Sequence, residues 1–179
     1  MPRHMQNFHI TAKNERDDSM TPYQRIFGTG PRGLLFGVLS IVLALSVDYF
    51  FELPPMHGSQ FLSNVSLVAG LIVTASIVFW SVVALRPSQR GRELVISGPF
   101  HYVRHPLYAA FLIGFNFGLA MFLDGWIFIA WAVFQYPLWH LNISGEERLM
   151  IQQFGQAYRD YSLKTGRFLP RLIVMRSKK

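Results

Sequence analysis

Arg104, His105 and Pro106 stand where the polar stretch GPFHYVRH gives way to an apolar run that begins at Leu107. Proline is at ease at the first position of a helix and pushes the residue before it out of helical geometry, so Pro106 predicts a helix start with His105 held beside it. The unpaired N–H groups of such a start attract anions, a carboxylate among them. Arg104 suits an anionic partner, and it equally suits a lipid phosphate reached by a snorkelling side chain. His105 suits proton transfer, and it equally suits a neutral interface residue bonded to backbone. A second charged cluster, Glu146 and Glu147, follows the last apolar run in SGEER. Adjacent helical residues do not share a face, so one glutamate is expected to point at a site and the other to meet water or Arg148. The plainer reading makes both of them charge complements of a helix N-terminus, with Ser144 as its cap.

Four apolar runs must position these residues: 34–51, 65–85, 107–123 and 126–141. The first two reach the roughly 17–25 residues of a transmembrane helix, and the last two are short enough to lean on flanking aromatics or a thinned bilayer. Only LDG separates the third and fourth, so they are expected to form an antiparallel hairpin. At 1.5 Å per residue each arm runs about 25 Å, which returns Glu146–Glu147 to the level of Arg104–His105. Gln135, Pro137 and His140 lie in the same half of the fourth run. Polar groups at membrane depth usually face a bundle interior, so a cavity between the third and fourth spans is expected there, or else interhelical hydrogen bonding. Beyond the hairpin, Leu149, Met150, Phe154, Tyr158 and Tyr161 recur at helical spacing and predict one amphipathic surface helix over about 145–163, stopped by TGRFLPRL.

Composition fixes the class. Of 179 residues, 51% are hydrophobic and 15% charged, with 16 Phe, which is too apolar for a soluble domain of this size. All 17 Lys and Arg fall before the first run, between the second and third, or after the fourth. The positive-inside rule makes that side cytoplasmic. The expected architecture is therefore all-α and integral to the membrane, with four transmembrane helices and both termini cytoplasmic. A cytoplasmic segment, 1–32, precedes a single membrane domain, 33–179, in what is expected to be a bacterial inner membrane. The first 20 residues are polar, with no apolar core of a signal peptide, and read as loosely attached. The net charge of +7 is accounted for by span flanks rather than by nucleic acid. With no cysteine there is no thiolate chemistry. GTGPRG lacks the spacing of a phosphate loop. His101 and His105 are separated from any common helix by Pro106, so no metal site is expected.

ELVISGPFHYVRHPLYAAF, a hydrophobic hairpin, and then EERLMIQQFGQAYRDY and GRFLP resemble the isoprenylcysteine carboxyl methyltransferase family, within a wider group that includes phospholipid N-methyltransferases. The resemblance covers about 92–171 and rests on Gly98-Pro99, on Arg104-His105-Pro106-x-Tyr108 and on Glu146-Glu147. It implies methyl transfer from S-adenosyl-L-methionine to a lipid-like or hydrophobic acceptor, a carboxylate or an amine, at the cytoplasmic membrane face. It implies that Arg92, Glu93, Leu94, Val95 and Phe100 line one side of the cofactor. His105, Tyr108, Ala109, Ala110, Phe111 and Leu112 would hold the other side. The candidate catalytic residues are Arg104, Glu146 and Glu147. Asn142 stands where eukaryotic members carry an arginine, Ala110 where the family usually has glycine, and His101 where it usually has a basic residue. Displacement at a sulfonium needs alignment and a partly apolar pocket, and an amine acceptor would add a base, His105 or a glutamate. The other functions open to such a sequence are reduction of a lipid double bond with NADPH and non-catalytic lipid binding.

Overall fold

The computed structural model describes residues 30–85 and 93–171. Residues 1–29, 86–92 (Arg92 among them) and 172–179, and with them the expectations placed on those positions, lie outside the described residues. The described chain is helical, and its strand-like pairing is confined to isolated bridges. Helix α1 is Gly30–Phe51, α2 Gln60–Ala84, α3 Pro106–Phe122, α4 Trp126–Asn142, α5 Ser144–Phe154 and α6 Gln156–Lys164. Two of them, α1 and α2, are long and apolar enough to cross a membrane, and α3 is a shorter apolar helix. Large apolar side chains along α1 and α2 point outward, Leu34 at 66% exposure and Phe79 at 73%, the arrangement expected of lipid-facing helices.

The first four helices run antiparallel, with α2 packed along α3, α3 against α4, and α4 against α1. Glycine sets the α2–α3 distance. A methyl group built on Gly70 would lie 2.6 Å from the Gly114 carbonyl oxygen and 2.8 Å from the Gly118 Cα. Two backbones that close need small residues one turn apart, here Gly114-x-x-x-Gly118. Helix α3 widens to a π-turn over Ala110–Phe115, and the Thr74 hydroxyl, 2.8 Å from the Gly70 carbonyl, also reaches the Ala110 carbonyl at 3.2 Å. Such a π-bulge shifts the register of the side chains that follow it.

At one end of the bundle the α1–α2 and α3–α4 links are tied together. The Met56 N–H donates to the Asp124 carbonyl at 2.8 Å, and the Asp124 carboxylate accepts the N–H groups of His57 and Gly58 at 2.8 Å each. Those hydrogen bonds, the one from His57 foremost, hold its carboxyl below the usual aspartate range. At the other end lie residues 93–105, α5, α6 and residues 165–171.

The surface helix expected over 145–163 is two helices. Gly155 at φ +57° breaks it, a conformation that a β-carbon disfavours, and α5 and α6 pack on each other around the break. Ser144 does not cap α5. Its hydroxyl donates instead to the His140 carbonyl at 3.0 Å, within α4.

Candidate functional site

Pro106 occupies the first turn of α3, and His105 is held outside helical geometry at φ −126°, ψ 67°. A strap formed by residues 165–169 runs beside this corner. Val103 and Gly166 form a parallel bridge, the Arg104 N–H donates to the Gly166 carbonyl at 2.8 Å, and the His105 N–H donates to the Arg167 carbonyl at 3.0 Å. Gly166 leaves room for the strap to turn, since a methyl group there would lie 1.9 Å from the Leu169 carbonyl oxygen. Phe168 anchors the strap, buried with Val103, Ala109, Leu112 and Ile143.

Glu147 is the hub on which the corner closes. The Arg104 Nε donates to its Oε1 at 2.8 Å with Nη2 at 2.7 Å, and the Arg167 Nε donates to its Oε2 at 2.8 Å with Nη2 at 2.6 Å. The carboxylate is 8% exposed and carries two guanidinium forks. Burial alone would raise its pKa. The nearby His105 ring and the bonds from Arg167 and Arg104 outweigh burial and hold it down to about 2. The remaining Arg104 nitrogen, Nη1, donates to the carbonyls of Ser162 and Thr165, so all three nitrogens of this guanidinium are engaged within the fold. Arg167 Nη1 donates to the His140 carbonyl at 3.0 Å, tying the strap to α4.

Glu146 also turns toward the α3 start rather than to water: the Tyr108 hydroxyl donates to its Oε1 at 2.9 Å. Consecutive glutamates grip one corner because the chain beneath them is bent, Ile143 being fully buried where α4 meets α5. His105 sits between the two carboxylates, its Nδ1 3.9 Å from Glu146 Oε2 and its Nε2 3.5 Å from Glu147 Oε1. At that separation the buried Nε2 has no good hydrogen bond, and the buried Tyr158 hydroxyl has none either. Burial, with the Glu147 charge second, pushes the Tyr158 hydroxyl pKa upward, so it remains a neutral donor. The His105 ring lies 5.9 Å from that of Tyr108, which in turn lies 4.8 Å from Trp139.

The other expected positions fall in three environments. Leu94 is buried against Phe154 and Tyr158, Val95 beside it is buried, and Glu93 is half-buried. Phe100 is half-buried, and its carbonyl accepts from the Tyr161 hydroxyl. Ala109 and Leu112 belong to the packed cluster around Phe168, Ala110 is fully buried under Thr74, and Phe111 points outward at 48% exposure against Phe115. A cavity of about 340 Å³ opens beside the corner, between Arg104, Tyr136, His140, Thr165 and Arg167.

Two features escaped the sequence reading. Arg167, set down there as part of a helix-stopping segment, is the second cation on Glu147; its only signal was its place in GRFLP. The cavity around Gln135 lies between α4 and α1, lined by Gly33 and Phe36, and not between the third and fourth spans.

Comparison with known proteins bears on the fold and the family. The protein-S-isoprenylcysteine O-methyltransferase of Schizosaccharomyces pombe is 32% identical over 109 residues, 58% of this chain and 44% of that protein. The nickel-cobalt-cadmium resistance protein NccN of Alcaligenes xylosoxydans xylosoxydans is 29% identical over 145 residues, 79% of this chain and 67% of that protein. The solved structure of the eukaryotic intramembrane Ras methyltransferase ICMT shares the fold, with a TM-score of 0.52 over 86% of this chain and 57% of that one, at 21% identity. The chain thus spans about half the length of the two methyltransferases it matches. The profile of the isoprenylcysteine carboxyl methyltransferase family covers residues 60–152, from the start of α2 through the glutamate pair. With the Arg104–His105 corner and Glu146–Glu147 inside that span, the chain belongs to the isoprenylcysteine carboxyl methyltransferase (ICMT) family.

Proposed function

We propose that this protein is a membrane methyltransferase that transfers the methyl group of S-adenosyl-L-methionine to a lipid-like or hydrophobic acceptor at the cytoplasmic face. The observation that carries the reading is the corner where His105 and Tyr108 meet Glu146 and Glu147 across the α3–α4 hairpin. The residues present fit the cofactor. Glu146 offers a carboxylate to a cationic amine or sulfonium, Tyr108 and Trp139 offer aromatic faces, and the His105 Nε2 and Tyr158 hydroxyl are buried polar atoms in want of partners. When bound, S-adenosyl-L-methionine supplies a methyl group activated by the positive charge on sulfur.

The protein's own contribution is then alignment and polarity. Arg104 and Arg167, both spent on Glu147, are positioning residues that fix the α3 start and the strap. Glu147, held ionised by them, keeps the corner charge-balanced, while Glu146 meets the Tyr108 hydroxyl and the His105 ring. His105, between two carboxylates, is placed to take a proton from an amine acceptor, whereas a carboxylate acceptor needs none.

The four-span topology with both termini cytoplasmic belongs to the same proposal. The two links that join each other through Asp124 carry no Lys or Arg, while the Arg104–Arg167 corner and α5–α6 form the opposite, basic end.

The test is incubation of the purified protein with methyl-labelled S-adenosyl-L-methionine and total membrane extract, followed by identification of the labelled product. Label in an extractable hydrophobic product supports the reading, and label that is no higher than in a His105→Ala, Glu146→Gln control defeats it.

A further inference from the structure

Gln135 lies on α4 at 1% exposure, facing α1. Its amide nitrogen is placed against Ser40. The Ser40 hydroxyl has one proton, which it donates to the Gly37 carbonyl at 2.9 Å, so its oxygen can only accept from its other neighbours. The Trp131 Nε1, a donor only, takes one side at 2.9 Å, and the Gln135 Nε2 takes the other at 2.7 Å. Turning the Gln135 amide round would draw the Ser40 proton from the Gly37 carbonyl to the Gln135 carbonyl. As placed, with Nε2 on Ser40, its Oε1 is an acceptor that is buried and without a partner.

Gln135 also lines a cavity of about 320 Å³ between α1 and α4, whose other walls are Gly33, Phe36, Leu138, Trp139, Leu141 and Asn142. Phe36 and Leu141 stand outward at the rim, at 57% and 73% exposure. Gly33 allows α1 to sit against Trp139 here, because a methyl group on it would lie 2.4 Å from that ring. An unmet buried acceptor costs about 1–3 kcal/mol, which a donor in the cavity would recover. A single water does not account for the space, since its share of volume is about 30 Å³ and it wants two to four polar partners where the walls are mainly apolar.

We propose that this α1–α4 cavity is a binding site for the neutral hydroxyl head of a lipid-like alcohol, with Gln135 Oε1 as the acceptor for its O–H. The wall chemistry excludes the charged alternatives. Among the described residues, no Lys, Arg or His lines the cavity to balance a carboxylate, which would also face a carbonyl oxygen, and no Asp or Glu lines it to balance an ammonium. The apolar rim suits a tail that remains among lipids. The site lies across Trp139 from the Tyr108–Glu146 contact, and its occupancy can be measured without any methyl transfer.

The experiment is photolabelling of the full chain in nanodiscs with three C12 probes carrying the same diazirine: an alcohol, its methyl ether and the carboxylate. Cross-linked peptides are mapped by mass spectrometry, with no cofactor added. The alcohol is expected to label the segments around Gly33–Ser40 and Leu138–Asn142 roughly five- to tenfold more than the ether, the worth of one buried hydrogen bond. Gln135→Leu should reduce the alcohol to the ether's level while leaving the thermal midpoint unchanged or raised, since it removes an unmet acceptor. Leu138→Trp, which fills the cavity from a half-buried position, should abolish labelling by all three and serves if Gln135→Leu does not fold. Equal labelling by alcohol and ether, stronger labelling by the carboxylate, or undiminished alcohol labelling in either variant would overturn the proposal. Failure of the methyl-transfer assay would leave it standing.

Discussion

Glu147 carries the largest consequences of any single side chain, because two arginines and a histidine converge on it. Its carboxyl titrates near 2 in the folded protein against an ordinary 4.5. The unfolded chain therefore binds the proton first as pH falls. The contribution to stability is complete above about 4.5 and fades as the pH falls from 4.5 toward 2. Thermal midpoints taken from pH 6 to pH 2.5 should fall through that window, and Glu147→Gln should lower the midpoint at pH 6 and flatten the slope. Arg167→Gln should cost about 2 kcal/mol, less than the 3–5 of a fully stranded charge because Arg104 remains, and Arg167→Lys should not restore it, since an ammonium cannot make the two-point fork. At this scale the sequence was legible wherever local chemistry set the geometry. Pro106 alone announces the position of His105, and hairpin length alone returns the glutamates to it. Arg167 was illegible because its place depends on a strap that folds back from beyond α6, a contact no periodicity encodes. The inward turn of Glu146 depends likewise on the bend at buried Ile143.

Among the elements, the bundle depends on close backbones more than on large side chains. Gly114→Ala should place a methyl group 2.4 Å from the Thr74 hydroxyl and 3.0 Å from the Gly70 carbonyl oxygen, force α2 from α3, and lower stability by about 1–3 kcal/mol in thermal unfolding. Gly155→Ala meets no neighbour within 4 Å. Its cost of about 1–3 kcal/mol should be backbone strain alone, with the α5–α6 break relaxing toward a continuous helix. The four apolar runs reveal where α1 to α4 lie because helical hydrophobic stretches are local signals. The π-turn over Ala110–Phe115 and the break at Gly155 are not local in that sense. The first answers to Thr74 on another helix, and an isolated glycine inside a helical pattern reads equally as a tolerated residue. The cavity at Gln135 was assigned to the wrong helix pair for the same reason: its partner, Ser40, is on α1, and nothing in the fourth run names that neighbour.

For the whole molecule, the basic end and the link end are the two faces that a membrane would separate. The chain has no native cysteine, so single-cysteine variants report sidedness directly. Gln60→Cys, at the link end, should react with an impermeant maleimide in intact cells, and Lys164→Cys only after permeabilisation. Reversal of that pattern would invert the topology. The overall layout was readable because charge asymmetry and helix length are properties of the entire chain, whereas the packing order α2–α3–α4–α1 arises from contacts among the helices. The account as a whole turns on the corner that joins α3, α5 and the strap as a seat for S-adenosyl-L-methionine. Its most direct test is calorimetric titration of the purified protein with S-adenosyl-L-methionine and with S-adenosylhomocysteine, set beside Tyr108→Phe and His105→Ala. The account predicts micromolar binding by the unaltered chain and a loss of roughly tenfold or more in each variant, as expected when hydrogen bonding to a charged group is disturbed. Absence of binding by the unaltered chain, or equal affinity in all three proteins, would contradict it.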